Sequence, residues 1–137
     1  MKISPYLAFN GNCAEALALY EKAFGIKADT VMRYKDSPPE EGYQPPAGTE
    51  DFVMHTQFKL GGSTIFMCDT MPENKCSFGN GMSVHVELDS ENAVKAAFDI
   101  LKEGGKVDTE PAKTFWSQCF GLLADKYGVN WMLSFEG

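Results

Sequence analysis

Only two histidines occur in the chain, at 55 and 85, and they are its natural candidates for proton chemistry near neutral pH. His85 stands two residues before Glu87, so in an extended strand both side chains project from one face. Three roles suit these residues. His55 or His85 could be a general base with Glu87 or Tyr6 as its partner. His55, His85 and Glu87 could instead ligate zinc or a similar ion, since imidazole and carboxylate are its usual donors. Finally, each imidazole could hydrogen-bond a neighbour and shape a ligand pocket. The cysteines fall at 13, 68, 76 and 119 with no Cys-x-x-Cys pair, and they read as free, small, buried or half-buried residues. A nucleophilic role for Cys68 or Cys119 would need a thiolate held by a histidine or a helix N-terminus. Strand phase aims both at the histidine-bearing face.

These residues are positioned by a sequence that repeats itself. Shifted by 77 residues, Ala16, Leu17, Tyr20 and Phe24 fall on Ala93, Val94, Ala97 and Leu101, the apolar stripes of two helices. Asn12 falls on Asp89, each a candidate helix cap, and the strand 6–9 falls on 83–86. The first module reads as a strand over 3–9, a helix over 13–24 closed by Gly25, a strand over 27–35, and strands 52–60 and 63–69 around the Gly61-Gly62 hairpin. The second reads as a strand over 82–89, a helix over 90–103 closed by Gly104-Gly105, and strands 106–113, 118–124 and 129–135. Residues 71–81 form the linker. Four prolines and two glycines between 36 and 50 forbid a central strand or helix and predict a long loop, a lid or a plain excursion.

Alternation within the strands separates two faces. Ile3, Leu7, Phe9, Met54, Thr56, Phe58, Ile65, Met67, Val84, Val86, Trp131, Leu133 and Phe135 make an apolar side that packs under helices, with Trp131 in the core. The opposite side carries Tyr6, His55, Gln57, Phe66, Ser83, His85, Glu87 and Met132, polar residues seeded with aromatics. Such a face lines a small-molecule cavity if the sheet curves around it, or is solvated if it does not. Phe115 and Trp116, in a loop before the seventh strand, wall a pocket or enter a dimer interface.

Composition narrows the function classes. With 137 residues, 44% hydrophobic and 23% charged, the chain reads as one folded domain. A formal net charge of −7 with no Lys/Arg run argues against nucleic acid. No apolar stretch reaches bilayer-spanning length, no signal-peptide pattern opens the sequence, and the expected location is cytoplasmic. No P-loop, nucleophile elbow or glycine-rich strand-to-helix turn of the kind that holds a nucleotide is present.

The paired βαβββ modules, together with Pro5-Tyr6-Leu7-Ala8-Phe9-Asn10-Gly11-Asn12-Cys13-Ala14-Glu15-Ala16, Val53-Met54-His55 ahead of Gly61-Gly62-Ser63, Thr114-Phe115-Trp116, and Asp125-Lys126-Tyr127-Gly128-Val129-Asn130-Trp131, resemble the vicinal oxygen chelate superfamily. This superfamily includes glyoxalase I, extradiol dioxygenases and bleomycin-resistance proteins. Within it the chain resembles the PhnB-like, demethylubiquinone methyltransferase-like branch. The resemblance implies an α+β fold, a single glyoxalase-like domain over 1–137 built of module 1 (3–70) and module 2 (82–136). These would form a curved, barrel-like mixed sheet with helices outside, and the chain would be a homodimer, in some members with exchanged modules. It also places the usual metal ligands at Tyr6, Phe66 or Met67, Ser83 and Met132, none of them a usual donor to a divalent ion. The expectation is therefore a binder of a small organic molecule without metal or other cofactor, through Tyr6, His55, Gln57, Phe66, Ser83, His85, Glu87, Phe115 and Met132. The alternatives are a metal-dependent or histidine-base lyase, isomerase or dioxygenase, and a drug-sequestering resistance-type protein.

Overall fold

The computed structural model describes residues 1–36 and 45–137. The elements run β1 (Tyr6–Phe9), α1 (Cys13–Phe24), β2 (Val31–Arg33), a 3-10 turn (Tyr34–Asp36), β3 (Val53–Leu60), β4 (Ser63–Asp69), β5 (Val84–Glu87), α2 (Glu91–Leu101), β6 (Lys106–Ala112), β7 (Cys119–Ala124) and β8 (Asn130–Phe135). This is the duplicated βαβββ order, and each copy forms its own four-stranded sheet, β1-β4-β3-β2 and β5-β8-β7-β6. In each, the first strand pairs in parallel with the last and the rest are antiparallel. The chain divides into two compact units, Met1–Glu21 with Gly25–Cys76, and Lys22–Phe24 with Ser77–Gly137. Most of the predicted 36–50 loop lies outside the described residues.

In the first unit, Cys13, Ala16, Leu17 and Tyr20 of α1 are buried at i, i+3, i+4, i+7 spacing. The Tyr20 ring meets Phe9 at 6.5 Å and Phe58 at 6.3 Å. Gly25 ends the helix at φ 64°, a left-handed residue that costs glycine little. The start of the helix departs from expectation. Asn12 makes no side-chain cap; the Asp69 carboxylate at the end of β4 accepts from the N–H groups of Gly11 and Cys13 at 2.9 Å each. Its second oxygen accepts from Val53 N–H at 2.8 Å. One buried side chain thus joins the β1–α1 turn, the start of β3 and the end of β4.

In the second unit, Ser90 and not Asp89 caps α2, its hydroxyl accepting from Ala93 N–H at 3.0 Å. The buried stripe is Val94, Ala97, Phe98 and Leu101; Val94, Ala97 and Leu101 fall where the repeat puts them, while Phe98 joins them and Ala93 is only half-buried. The cause lies across the interface with β7. A side chain at Gly121 would come within 2.9 Å of the Phe98 ring and 3.2 Å of Pro111, so the glycine makes room for a phenyl group that α1 does not match. A second buried carboxylate, Asp125, accepts from Tyr127 N–H (2.8 Å), Val129 N–H (3.1 Å) and the Trp131 indole N–H (2.9 Å).

Strands are shorter than the alternation suggested. Ile3, Met82 and Ser83 fall outside β1 and β5, and Ile3 and Met82 are exposed. Pro5 precedes β1 and cannot donate to a ladder. Val53, which strict alternation from His55 and Gln57 would put on the polar face, is fully buried because the β2–β3 register jumps from Met32↔His55 to Arg33↔Val53. This bulge at Met54 changes the phase of everything before it.

Replacing Asp69 by alanine would leave three N–H groups without their acceptor, at roughly 1–3 kcal/mol for each that stays buried. The expected loss is about 3 kcal/mol or more in urea unfolding, large against the ~5–15 kcal/mol that holds a domain together. A loss below about 1 kcal/mol would mean that water takes over the three donors.

Candidate functional site

The nine residues singled out by phase divide between the units: Tyr6, His55, Gln57 and Phe66 in the first, and Ser83, His85, Glu87, Phe115 and Met132 in the second. Each unit therefore has its own polar-aromatic face.

In the first unit, parallel register sets Tyr6 beside Phe66, and their rings stack at 5.6 Å with 21° between planes. His55 lies 5.6 Å from Phe66 and 6.3 Å from Tyr6, centroid to centroid. Met32, paired with His55 across the ladder, extends this surface, and Tyr6 remains 56% exposed. The Tyr6 hydroxyl stands 3.4 Å from His55 Nδ1, too long for a strong hydrogen bond. Its proton goes to the Cys68 sulfur. Burial and the neighbouring Cys68 push the Tyr6 phenol above its ordinary range. Gln57 is less available, because its amide donates to Asp29 at 3.1 Å.

The thiols are poor nucleophiles. Burial raises Cys68, and the Tyr6 hydrogen bond only partly opposes it; burial with the adjacent Asp69 drives Cys13 far up. Cys119 contradicts its expected place: it is fully buried, feels Glu91 and Lys95 of α2, and is raised by burial. The run Cys119-Phe120-Gly121-Leu122-Leu123 is apolar at every position, so alternation could not choose its phase. The structure turns Cys119, Gly121 and Leu123 inward and leaves Phe120 and Leu122 half-buried.

In the second unit His85 pairs with Met132 and Glu87 with Ser134 across the β5–β8 ladder. His85 Nε2 lies 2.8 Å from the buried Ser134 hydroxyl, which donates to Glu136 at 3.3 Å. If the serine proton goes to the Glu136 carboxylate, Ser134 accepts from Nε2–H; the two directions depend on the tautomer. Neutral His85 then keeps a lone pair on Nδ1. Neither Ser134 nor Glu136 is singled out by the sequence; a histidine and a buried serine on paired strands 49 residues apart leave no spacing signal. Ser83 is exposed outside the strand, and Glu87 is exposed. Phe115 is 97% exposed at the tip of a turn in which Thr114 Oγ1 accepts from Ser117 N–H at 3.0 Å. Its ring meets Trp116 edge-on at 4.7 Å, and Trp116 meets Phe120 at 5.6 Å.

Among the described residues no three His, Cys, Asp or Glu side chains gather as a metal-holding group. The positions implied for superfamily ligands offer a phenol engaged with Cys68, a phenyl ring, an exposed hydroxyl and a thioether. That donor set does not fit a hard or borderline divalent ion.

A family model described as 3-demethylubiquinone-9 3-methyltransferase matches residues 1–134. The chain belongs to that family. Protein YjdN of Escherichia coli (strain K12) is 31% identical over 140 residues, covering 98% of this chain and 95% of its own length. The crystal structure of protein PA1353 from Pseudomonas aeruginosa is 33% identical, with a TM-score of 0.86 over 99% of this chain and 98% of that one. A glyoxalase/bleomycin resistance protein/dioxygenase family enzyme from Burkholderia phytofirmans PsJN shares the fold, at a TM-score of 0.65 and 13% identity over 98% and 97% of the two chains. The expected glyoxalase-like α+β architecture is thus established.

The family's description names a methyltransferase, whose usual methyl donor carries an adenosyl group. The residues here do not fit such a cofactor at the place where a strand-turn-helix would hold it. At the β1–α1 turn the N–H groups of Gly11 and Cys13 are already taken by Asp69. No helix of the described residues is long and apolar enough to cross a membrane.

Two measurements follow. A buried thiol whose folded pKa is raised adds stability that is complete below the ordinary thiol value of about 8.5 and is lost as pH rises above it. The urea midpoint should therefore fall between about pH 7.5 and about pH 10, and Cys13→Ala should flatten the fall; an unchanged slope would remove Cys13 as its source. Separately, long-range ¹H–¹⁵N spectra of neutral His85 should show the Nε2–H tautomer, and Ser134→Ala should release it to a mixture. An Nδ1–H form in the parent would reverse the assigned direction of the hydrogen bond.

Proposed function

We propose that this protein binds a small, partly aromatic organic molecule without a resident metal. Tyr6, His55, Phe66 and Gln57 would form the binding face of the first unit, and His85, Glu87, Met132, Ser83 and Phe115 are the residues the second unit would offer to a ligand of its own. The observation that carries this reading is the Tyr6–Phe66 stack beside His55, left open to solvent on a sheet whose other face is packed by α1. Exposed aromatic rings next to an imidazole offer apolar area and a hydrogen-bond partner in one place, the combination that orients an aromatic ligand. The protein is proposed to act in the cytoplasm as a homodimer. Nucleic acid is not among its proposed partners, in keeping with the net charge of −7.

A second reading has one observation in its favour. The Glu136–Ser134–His85 chain leaves Nδ1 as an acceptor, so His85 could take a proton from a bound molecule, as in a lyase or isomerase.

Native mass spectrometry of protein purified without chelator tests the first reading. We expect a bound small-molecule mass in the parent, lost in a Tyr6→Ala/Phe66→Ala double variant and kept in His85→Ala. Turnover of the released compound by the parent, but not by His85→Ala, would favour the second. A double variant that retained the full adduct would sink the proposed binding face.

A further inference from the structure

We infer a second small-ligand site in the first unit, suited to a monocarboxylate with a short apolar body of at most one ring. The cavity is about 130 Å³ and is lined by Asn10, Phe52, Thr70, Met71, Pro72 and Lys75, none of which belongs to the Tyr6–His55–Phe66 face. It is independent of the proposed function above.

The walls are held in place before any ligand arrives. Asn10 clamps the returning chain through two hydrogen bonds with the Cys76 backbone, donating to its carbonyl and accepting from its N–H, both at 2.9 Å. Thr70 N–H donates to Phe9 carbonyl oxygen at 2.7 Å, tying the first residue after β4 to β1. The Phe52 ring rests against Gly11, where a side chain would come within 2.9 Å of it, and φ of +92° there also favours glycine. Segment 70–76 is thus closed at both ends against a fixed aromatic ring.

Two features give the cavity a chemical preference. Thr70 Oγ1 is buried with no hydrogen-bond partner among the described residues, a state that proteins generally avoid unless something else satisfies the group. Lys75 is the one charged residue of the described lining and makes no ion pair among the described residues, in a chain of net charge −7. A hydroxyl lacking a partner and an unpaired ammonium together call for an anionic acceptor. Phe52, Met71 and Pro72 supply an apolar surround for the rest of the molecule. At about 130 Å³ the cavity is smaller than the roughly 150 Å³ that holds benzene, so the ring of a benzoate-sized acid would enter only in part and such an acid is the upper limit. Its carboxylate would accept from Thr70 Oγ1 and pair with Lys75 Nζ.

The test is titration of the full chain with sodium benzoate, followed by backbone amide NMR, with benzyl alcohol as the uncharged ring of similar shape. Saturable shifts are expected at Phe52 and over residues 70–75. Benzyl alcohol, Lys75→Ala and Thr70→Val should each weaken the interaction by about tenfold or more, as loss of a charge-assisted contact does. Lys75 is exposed, so its variant folds, and Thr70→Val should melt no lower than the parent because it removes an unsatisfied hydroxyl. The site is overturned if benzoate causes no saturable shift, if benzyl alcohol or either variant binds as the parent binds benzoate, or if the shifts fall on Tyr6 and His55 instead. Shifts on Tyr6 and His55 would belong to the binding face proposed above; the other outcomes do not bear on the Tyr6/Phe66 adduct experiment.

Discussion

A carboxylate removed from water must be surrounded by donors, and each unit of this protein is organised around one that is. Asp69 accepts three backbone N–H groups, from Gly11, Cys13 and Val53. Asp125 accepts two backbone N–H groups and the Trp131 indole. The donors to Asp69 lie 16 to 58 residues away, so that carboxylate joins three chain segments into one geometry, whereas the donors to Asp125 lie two to six residues on and fix the turn between β7 and β8. Asp69 is the more consequential. It sets where α1 starts, where β3 begins and how β4 ends, and these three elements decide what the face bearing Tyr6, His55 and Phe66 looks like.

With one face of each sheet used for the core, the chemistry that remains is limited by what the other face displays. The thiols do not contribute a nucleophile: Cys13 and Cys119 are fully buried, and Cys68 is raised by burial despite the proton offered by Tyr6. The imidazoles are the more capable groups, and they differ. His55 sits among aromatic rings with only a 3.4 Å approach to Tyr6, whereas His85 has a 2.8 Å partner in Ser134. The two copies of the repeat have diverged in side chains while keeping the same strand order.

Family membership and donor chemistry bear on different parts of the question. The match over residues 1–134 secures the lineage, and the fold shared with the Burkholderia phytofirmans protein secures the architecture. Neither supplies a metal ligand at Tyr6, Phe66, Ser83 or Met132, where phenol, phenyl, hydroxyl and thioether stand. A description inherited by a family cannot overrule the side chains of a particular member.

Much of the architecture is legible in the residues because it depends on local period and local breakers. The 13–24 helix, its Gly25 end and the Gly61-Gly62 hairpin follow from stripe spacing, left-handed glycine and turn chemistry, and β4 follows from the alternation of Ile65 and Met67 with Thr64, Phe66 and Cys68. Tyr6, His55 and Phe66 could be placed on one face by counting in twos. Counting fails wherever a distant partner changes the phase or supplies the cap. The bulge at Met54 buries Val53, and Phe98, which fills the space left at Gly121, joins the α2 stripe in place of Ala93. Cys119 lies in a run that is apolar on both faces, and Asp69, 57 residues from Asn12, does the capping that Asn12 leaves undone. The sequence alone determined the repeat, the elements and the residue types available, since those rest on interactions within a few positions. Only the tertiary structure decided which carboxylate holds the α1 turn, which thiols are sealed and which histidine has a serine behind it, because each depends on groups that meet only after the strands have paired.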